Sequence, residues 1–574
     1  MNSLVPLPVV VPLAAAALLL MFGGVLAGSV VRALTVAATI AETVLAGALV
    51  HAARSGTIVY WFGGWTPRHG AAIGVSFAVD RIGAGAATLA GVVVTAAALS
   101  TRRAFGERPA LTHALMLTML AAMAGFCLTG DIFDLFVFYE LIAVSAFGLA
   151  AFDTGDPRSL RAALNFAITN SIGAFLLLIG IALLYGRTGA LNLAQIGRQL
   201  AAAPHTDGLV VVAFATITVG FLVKAAIVPF HFWLVDLAST GPVPLVLILG
   251  GALDALAVYA IARVYWTAFA PALGGHEAAL RVVLLAVGAF TALIAGAMSL
   301  STREPRRVLA FVLVSHTGTV LVGVGCLSAL GIAGTAIYAL ADGAIKVALF
   351  ACIGMRTGDR EEVVSGVAVT AVLIAGGLAL AGFPLFGISL GESVIEHAAS
   401  STGNPWIVPV LVVASVLTAG AVLRIALTAA RTRGARPRAP ELGAVAGVLV
   451  GVAIGARFAA ARWAAGAASA FVASNAYGRA VLNGERVASP AAAGGVRLSG
   501  GSELLDLVTV VGALAIVVWL DWVRPRATAR SAMRETTAVG YAIRRLHSGS
   551  LGDSVTWLTV GATTFAVAVA VALR

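Results

Sequence analysis

The chain is poor in charge, and poorest in lysine. Only 11% of its 574 residues are Asp, Glu, Lys or Arg, and 60% are hydrophobic. A soluble domain carries roughly 25% charged residues, so a soluble globular protein is excluded. Cysteine is scarce too: Cys127, Cys326 and Cys352 each sit inside an apolar run, which argues against a disulfide framework or a thiolate metal site. There is no glycine-rich phosphate loop, no CxxC pair and no HExxH, so a redox or covalent catalytic site and a bound cofactor are not expected. Of 37 basic residues only Lys224 and Lys346 are lysines. A net charge of +11 would suggest nucleic acid in a soluble chain. Here the arginines fall mostly in short loops between apolar runs, which points to membrane orientation and away from nucleic acid.

What is abundant is long apolar sequence. A bilayer-crossing helix needs about 20 mostly apolar residues, and windows of that size fall at 4–25, 31–52, 76–99, 110–130, 132–152, 163–185, 207–228, 243–265, 279–300, 307–327, 333–355, 363–383, 405–430, 443–463, 505–523 and 553–573. The expectation is an all-α, polytopic membrane protein of about 14–16 spans. With no basic residue before Arg32, the first window reads as a span and not as a cleaved signal peptide. Arginines after the third, ninth, thirteenth and fifteenth windows (Arg102, Arg103, Arg108; Arg303, Arg306, Arg307; Arg431 to Arg438; Arg524 to Arg545) all fall on one side, expected to be cytoplasmic. Both termini then face outward. The segment 524–548 reads as a basic surface helix, and 474–502, rich in Ala, Gly and Ser, as an extracytoplasmic loop.

An ionisable group near the bilayer centre costs at least ~2.5–3.5 kcal/mol on insertion scales, so it is kept where it works. The apolar runs hold Glu42, Asp80, Asp131, Asp134, Glu140, Lys224, Asp254, Asp342, Lys346, Glu392 and Glu396. Asp80, Asp131 and Asp134 lie near window ends, where a carboxylate reaches the interface. Glu42, Glu140, Asp254, Asp342 and Lys346 lie well inside. Arginine stays protonated in proteins, whereas a buried lysine gives up its proton near neutral pH. Two lysines kept inside the membrane of an otherwise arginine-writing chain therefore point to proton transfer. His231 and His316 are isolated in sequence and suggest no metal cage.

Two runs are interrupted alike. One ends in Lys224 and continues through Pro229, His231 and Trp233; the other ends in Gly382-Phe383-Pro384, followed by Glu392 and Glu396. Discontinuous helices in two halves are the form in which inverted-repeat transporters place ion sites. The expected divisions are N-terminal helices 1–109, repeats at 110–268 and 279–430, and C-terminal helices 431–574.

These residues resemble the antiporter-like proton-translocating subunits of respiratory complex I, and their relatives in Mrp antiporters and in membrane-bound hydrogenase or formate hydrogenlyase complexes. Tyr60 to Trp65 leading to Val79-Asp80 is similar to the family's approach to the third span. Asp131 to Leu141 is similar to its fifth-span glutamate motif, and Lys224 to Leu234 to its seventh-span lysine and helix break. Arg306 to Phe311 with Ser315 to Gly318 resembles the tenth span. Asp342 to Phe350 resembles the next, where the family commonly has His at Asp342. Gly382-Phe383-Pro384 with Glu392 resembles the broken twelfth.

The resemblance implies a Glu140–Lys224 pair and a proton path through Glu140, Lys224, His231, Asp254, His316, Asp342, Lys346 and Glu392, with breaks at Pro229 and Pro384. The eighth span departs from the family: Asp254 stands where a lysine or histidine is usual, and an Asp254–Lys346 pair would replace the standard link. The implied protein is a proton- or cation-translocating subunit of a multi-subunit energy-coupling complex in a bacterial cytoplasmic membrane, with other membrane subunits and the lipid bilayer as partners. A proton-coupled module for sodium or inorganic carbon, and a structural subunit with a closed path, are the alternatives.

Overall fold

The computed structural model describes residues 2–68, 71–103, 109–152, 156–202, 207–353, 367–431, 440–485, 503–520 and 551–573. The expected surface helix at 524–548 and the arginines at 433–438 lie outside them. The first helices are α1 (Leu7–Phe22), α2 (Gly28–Ala52), α3 (Arg81–Leu99), α4 (Pro109–Leu128), α5 (Ile132–Ala150), α6 (Pro157–Thr188) and the short α7 (Leu193–Ala201). There follow α8 (Gly208–Lys224), α9 (Phe232–Thr240), α10 (Val243–Ile248), α11 (Asp254–Val264), α12 (Ala270–Leu273), α13 (Glu277–Ser301), α14 (Pro305–Gly325) and α15 (Ala329–Ile353). The last are α16 (Val367–Leu380), α17 (Gly387–Ser401), α18 (Ile407–Arg431), α19 (Pro440–Phe471), α20 (Ser474–Asn483), α21 (Glu503–Val518) and α22 (Leu551–Ala572).

Among the described residues, ten helical runs are long and apolar enough to cross a membrane. One of them, Val243–Ser301, has 59 residues. At about 1.5 Å per residue it is roughly three times as long as a 30 Å hydrocarbon core is thick, so it holds two passes, meeting at the 3₁₀ turn Gly274–His276. Every apolar window holds a helix. Several helices, α1, α8, α16 and α21, are too short to span alone. Two of these, α8 and α16, are short because their windows are broken: α8 is continued by α9, and α16 by α17.

Helix starts are written locally. Asp80 caps α3 by accepting from Gly83 N at 2.9 Å, Asp131 caps α5 by accepting from Phe133 N at 2.8 Å, and Asn192 caps α7. Pro157 and Pro305 open α6 and α14, where a missing N–H costs nothing. Close packing depends on glycine. A Cβ on Gly318 of α14 would come 2.6 Å from Gly288 O and Ala292 N of α13, so those two helices meet backbone to backbone.

The all-α expectation holds, with one short hairpin beside the helices: β1 (Ile58–Trp61) pairs antiparallel with β2 (Ser76–Val79), Ile58 opposite Val79 and Trp61 opposite Ser76. Aromatic residues favour this pleated pairing, and it is anchored by Gly130 N donating to Ser76 O at 2.9 Å and by Asn192 Nδ2 donating to Ser76 Oγ at 3.1 Å. The segment read as a loop from 474 begins instead as α20, ended by Gly484 in the left-handed conformation (φ 67°). Its alanine and glycine content suggested a loop, yet Tyr477, Ala480 and Val481 give it a buried stripe.

Candidate functional site: a chain of buried ion pairs

The break between α8 and α9 builds the first cluster. The helix ends at Lys224, Ala226 takes a positive φ of 53°, and Val228–Pro229 is cis. A helix that stops inside apolar surroundings strands its last carbonyls. Two of them are met by side chains: Trp233 Nε1 donates to Val223 O at 3.0 Å and Tyr139 Oη to Lys224 O at 3.3 Å. Val228 N donates to Thr291 Oγ1 of α13 at 3.2 Å. The Lys224 ammonium, wholly buried, lies 2.7 Å from Glu140 Oε1 and 4.3 Å above the Tyr139 ring. Glu140 is the more open partner, with its side chain 32% exposed. His231, buried at the foot of α9, has ring contacts with Phe232 and Phe311.

The second cluster joins α11, α14 and α15. Leu249–Leu253 is a π-helical turn, and Asp254 is the residue that follows it. Lys346 Nζ stands 2.7 Å from Asp254 Oδ2 and 2.6 Å from Asp342 Oδ2, while His316 Nδ1 is 2.5 Å from Asp342 Oδ1. Thr317 Oγ1 donates to Leu313 O (2.9 Å) and also lies 3.1 Å from Asp254 Oδ2. All four ionisable groups are buried. His316, isolated in sequence, is therefore one end of a continuous His316–Asp342–Lys346–Asp254 contact chain.

The second break, between α16 and α17, places the third group. Gly382 takes a φ of 75°, and Pro384 lies in the turn. Glu392 Oε1 is 2.6 Å from Ser415 Oγ of α18. One helical turn either side of Glu392 are Glu396 and Ser389, and the Ser389 hydroxyl is 3.0 Å from Asp506 Oδ2 of α21. Gly391 packs on the backbone of Tyr338, whose ring is 5.8 Å from His316, so Tyr338 lies between the second and third groups.

One pair went unforeseen. Asp80, expected to reach the interface from a span end, is instead buried, with Oδ2 2.5 Å from Arg263 Nη2. Arg263 also donates to Tyr259 Oη and stacks 4.1 Å from the Phe471 ring. An arginine inside the apolar run Leu256–Phe269 was the available signal. The pair joins the start of the third window to the end of the eighth, which an alternating path puts on the same side of the membrane. Arg306, counted among the loop arginines, is buried and donates to Gly241 O, so part of the orienting charge also closes helix ends.

A bundle of membrane-length helices, broken at α8–α9 and α16–α17 beside ionisable groups and holding buried ion pairs between its helices, defines a multi-pass integral membrane protein of the antiporter-like class. The family profile described as NADH:quinone oxidoreductase/Mrp antiporter, transmembrane, matches residues 129–418, and the chain belongs to that family. It is 29% identical over 381 residues to an NADH-quinone oxidoreductase subunit of Desulforudis audaxviator, covering 64% of this chain and 74% of that one. It is 26% identical over 438 residues to a Na(+)/H(+) antiporter subunit of Bacillus subtilis (74% and 86% covered), and 30% over 383 residues to a probable K(+)/H(+) antiporter subunit of Rhizobium meliloti (64% and 69%). The fold is shared with a chain of the archaeal membrane-bound sulfane sulfur reductase (TM-score 0.74, 24% identity, 84% of this chain and 100% of that one). It is also shared with a chain of the Mrp complex from a Dietzia species (TM-score 0.69, 24% identity, 84% and 98%).

Proposed function

We propose that the chain is the proton-translocating subunit of a multi-subunit membrane complex, and that protons cross it by rearrangement of its buried ion pairs. The observation that carries this is the placement of both lysines. Each holds a carboxylate at 2.6–2.7 Å inside the bundle, and neither lies in a loop. Burial disfavours the lysine cation and the carboxylate favours it, so its proton affinity depends on its neighbour's charge. A proton arriving on Glu140 removes the anion that holds Lys224 charged, and Lys224 then releases its proton inward.

The receiving end is the Asp254–Lys346–Asp342–His316 cluster. Lys346 between two carboxylates can lean on either, and His316 takes up or gives a proton at Asp342. Glu392 and Glu396 are the exit groups on this reading, reached past Tyr338. The repeats at 110–268 and 279–430 are supported by the two broken helices, each ending beside one such cluster. Relatives named as quinone oxidoreductase and cation/proton antiporter subunits support a partner that supplies or uses the driving force.

The test is proton movement in vesicles holding the whole complex. Glu140→Gln keeps the shape and removes the charge that Lys224 answers to. Transport is expected to fall to background while the complex still assembles, and transport at the unaltered rate would remove the mechanism.

A further inference from the structure

Glu42, in the middle of α2, is wholly buried, and among the described residues neither of its carboxyl oxygens has a hydrogen-bond partner. The path above makes no use of it. The hydroxyls beside it serve their own helix: Thr39 donates to Val36 O at 3.0 Å and Thr43 to Thr39 O at 2.8 Å. The carboxyl faces α3 at Gly91, where an added Cβ would overlap both Glu42 Oε2 and Thr43 Oγ1. Only a residue without a side chain leaves room for it.

The other face of α3 touches the second cluster. Val93 fills the space beside Gly251, and Leu89 lies 3.5 Å from where a Gly343 Cβ would stand. Leu89 and Val93 are one turn apart, and Gly91, two residues from each, points roughly 160° away from both. Gly251 is one turn before Asp254, and Gly343 lies between Asp342 and Lys346. Glu42 is therefore level with the Asp254–Lys346–Asp342 cluster, with one helix, about 10–12 Å thick, in between.

Among the described residues, nothing in contact balances a negative charge there. Of the helices packed on α2, α1 has no titratable residue, and α3 has Arg81 alone, at its far end. α4 has His113, beside Arg32 at the opposite end of α2, and Cys127, whose thiol is in electrostatic reach of Glu42. α2 itself adds Arg32 and His51 near its ends. A carboxylate buried without donor or cation is among the costliest groups a membrane protein can hold, and a bound proton is its simplest relief.

We propose that Glu42 is a second proton-binding site, off the main path, which holds its proton as a neutral acid in this conformation and, on releasing it, biases the Asp254–Lys346–Asp342 cluster across α3. At about 10–12 Å in a medium of effective dielectric ~20, an ionised Glu42 raises the proton affinity of that cluster about tenfold. The bias rests on the proposed path; the neutral acid does not.

Two measurements on the assembled complex test this. Infrared difference spectra of the wild type should contain the carbonyl band of a weakly hydrogen-bonded carboxylic acid, and Glu42→Gln should remove it. If Gln here prevents assembly, Glu42→Asp keeps the acid and must move the band. In vesicles, Glu42→Gln keeps the neutral form and denies the ionised one. At alkaline pH, where the wild-type acid has released its proton, the cluster then loses that anion's support, and the alkaline limb of the transport profile should shift about one pH unit lower. Absence of the band overturns the proposal, and so does a band with an unmoved profile. Full transport by Glu140→Gln would sink the path and leave the Glu42 band standing, so the two failures are distinguishable.

Discussion

A group that relays protons must hold its charge against burial and still be able to lose it, and on the proposed reading this chain assigns that task to lysine. Where charge is meant to stay, it uses arginine: Arg263 is held by Asp80 and by the Tyr259 and Phe471 rings at the margin of the bundle. Arginine keeps its proton, so this pair is a fixed brace. Asp80→Asn leaves a buried cation without its anion and is expected to destabilise the protein by about 3–5 kcal/mol. The double change Asp80→Asn with Arg263→Met keeps an acceptor for the α3 cap and should recover most of that loss, as read by thermal unfolding in detergent. A double variant no more stable than Asp80→Asn would show the brace to be something other than charge pairing. The asymmetry was half legible in sequence. Lysine scarcity pointed to Lys224 and Lys346. Arg263 stayed hidden among 35 arginines because composition says nothing of which one is buried against a carboxylate.

On the same reading, elements turn those residues into a path by failing to be regular. The α8–α9 break, the α16–α17 break and the π turn before Asp254 each interrupt a helix beside an ionisable group. The two breaks were readable, because Pro229 and Pro384 disrupt the i→i−4 ladder. The π turn was not, since Gly250-Gly251-Ala252 is compatible with an ordinary helix. Nor was the repair of the first break by Trp233, which depends on a tertiary approach. Trp233→Phe leaves the ring and withdraws one donor from Val223 O, which keeps the Ala226 N–H at 3.2 Å, at an expected cost of about 0.5–1.5 kcal/mol. Because that carbonyl adjoins Lys224, the variant should slow proton transport as well as lower the unfolding temperature. A stability loss with an unchanged transport rate would disconnect the break from the path. At the other break, Gly391 lies against the Tyr338 backbone, so Gly391→Val must push α17 off α15. The expected result is an assembled but slow complex, checked by size-exclusion chromatography beside the vesicle assay.

At the scale of the molecule, the sixteen apolar windows found every long helix but not its limits, because hydropathy measures composition and not where hydrogen bonding stops. The hairpin Ile58–Val79 and α20 escaped for the same reason: both are short, and neighbours hold them in place. The ion pairs, in contrast, form two contact groups, Glu140 on α5 with Lys224 on α8, and Asp254 on α11 with Lys346 and Asp342 on α15 and His316 on α14. The proposed path joins them in one line with Glu392 on α17 past Tyr338. That line is the account's central claim, and Lys224 is its most demanding point. Lys224→Arg keeps a cation beside Glu140 and withdraws only the ability to lose a proton. The measurement is proton flux into vesicles containing the intact complex, wild type beside Lys224→Arg at equal incorporation. The account predicts an assembled complex with flux at background; flux near the wild-type rate would contradict it.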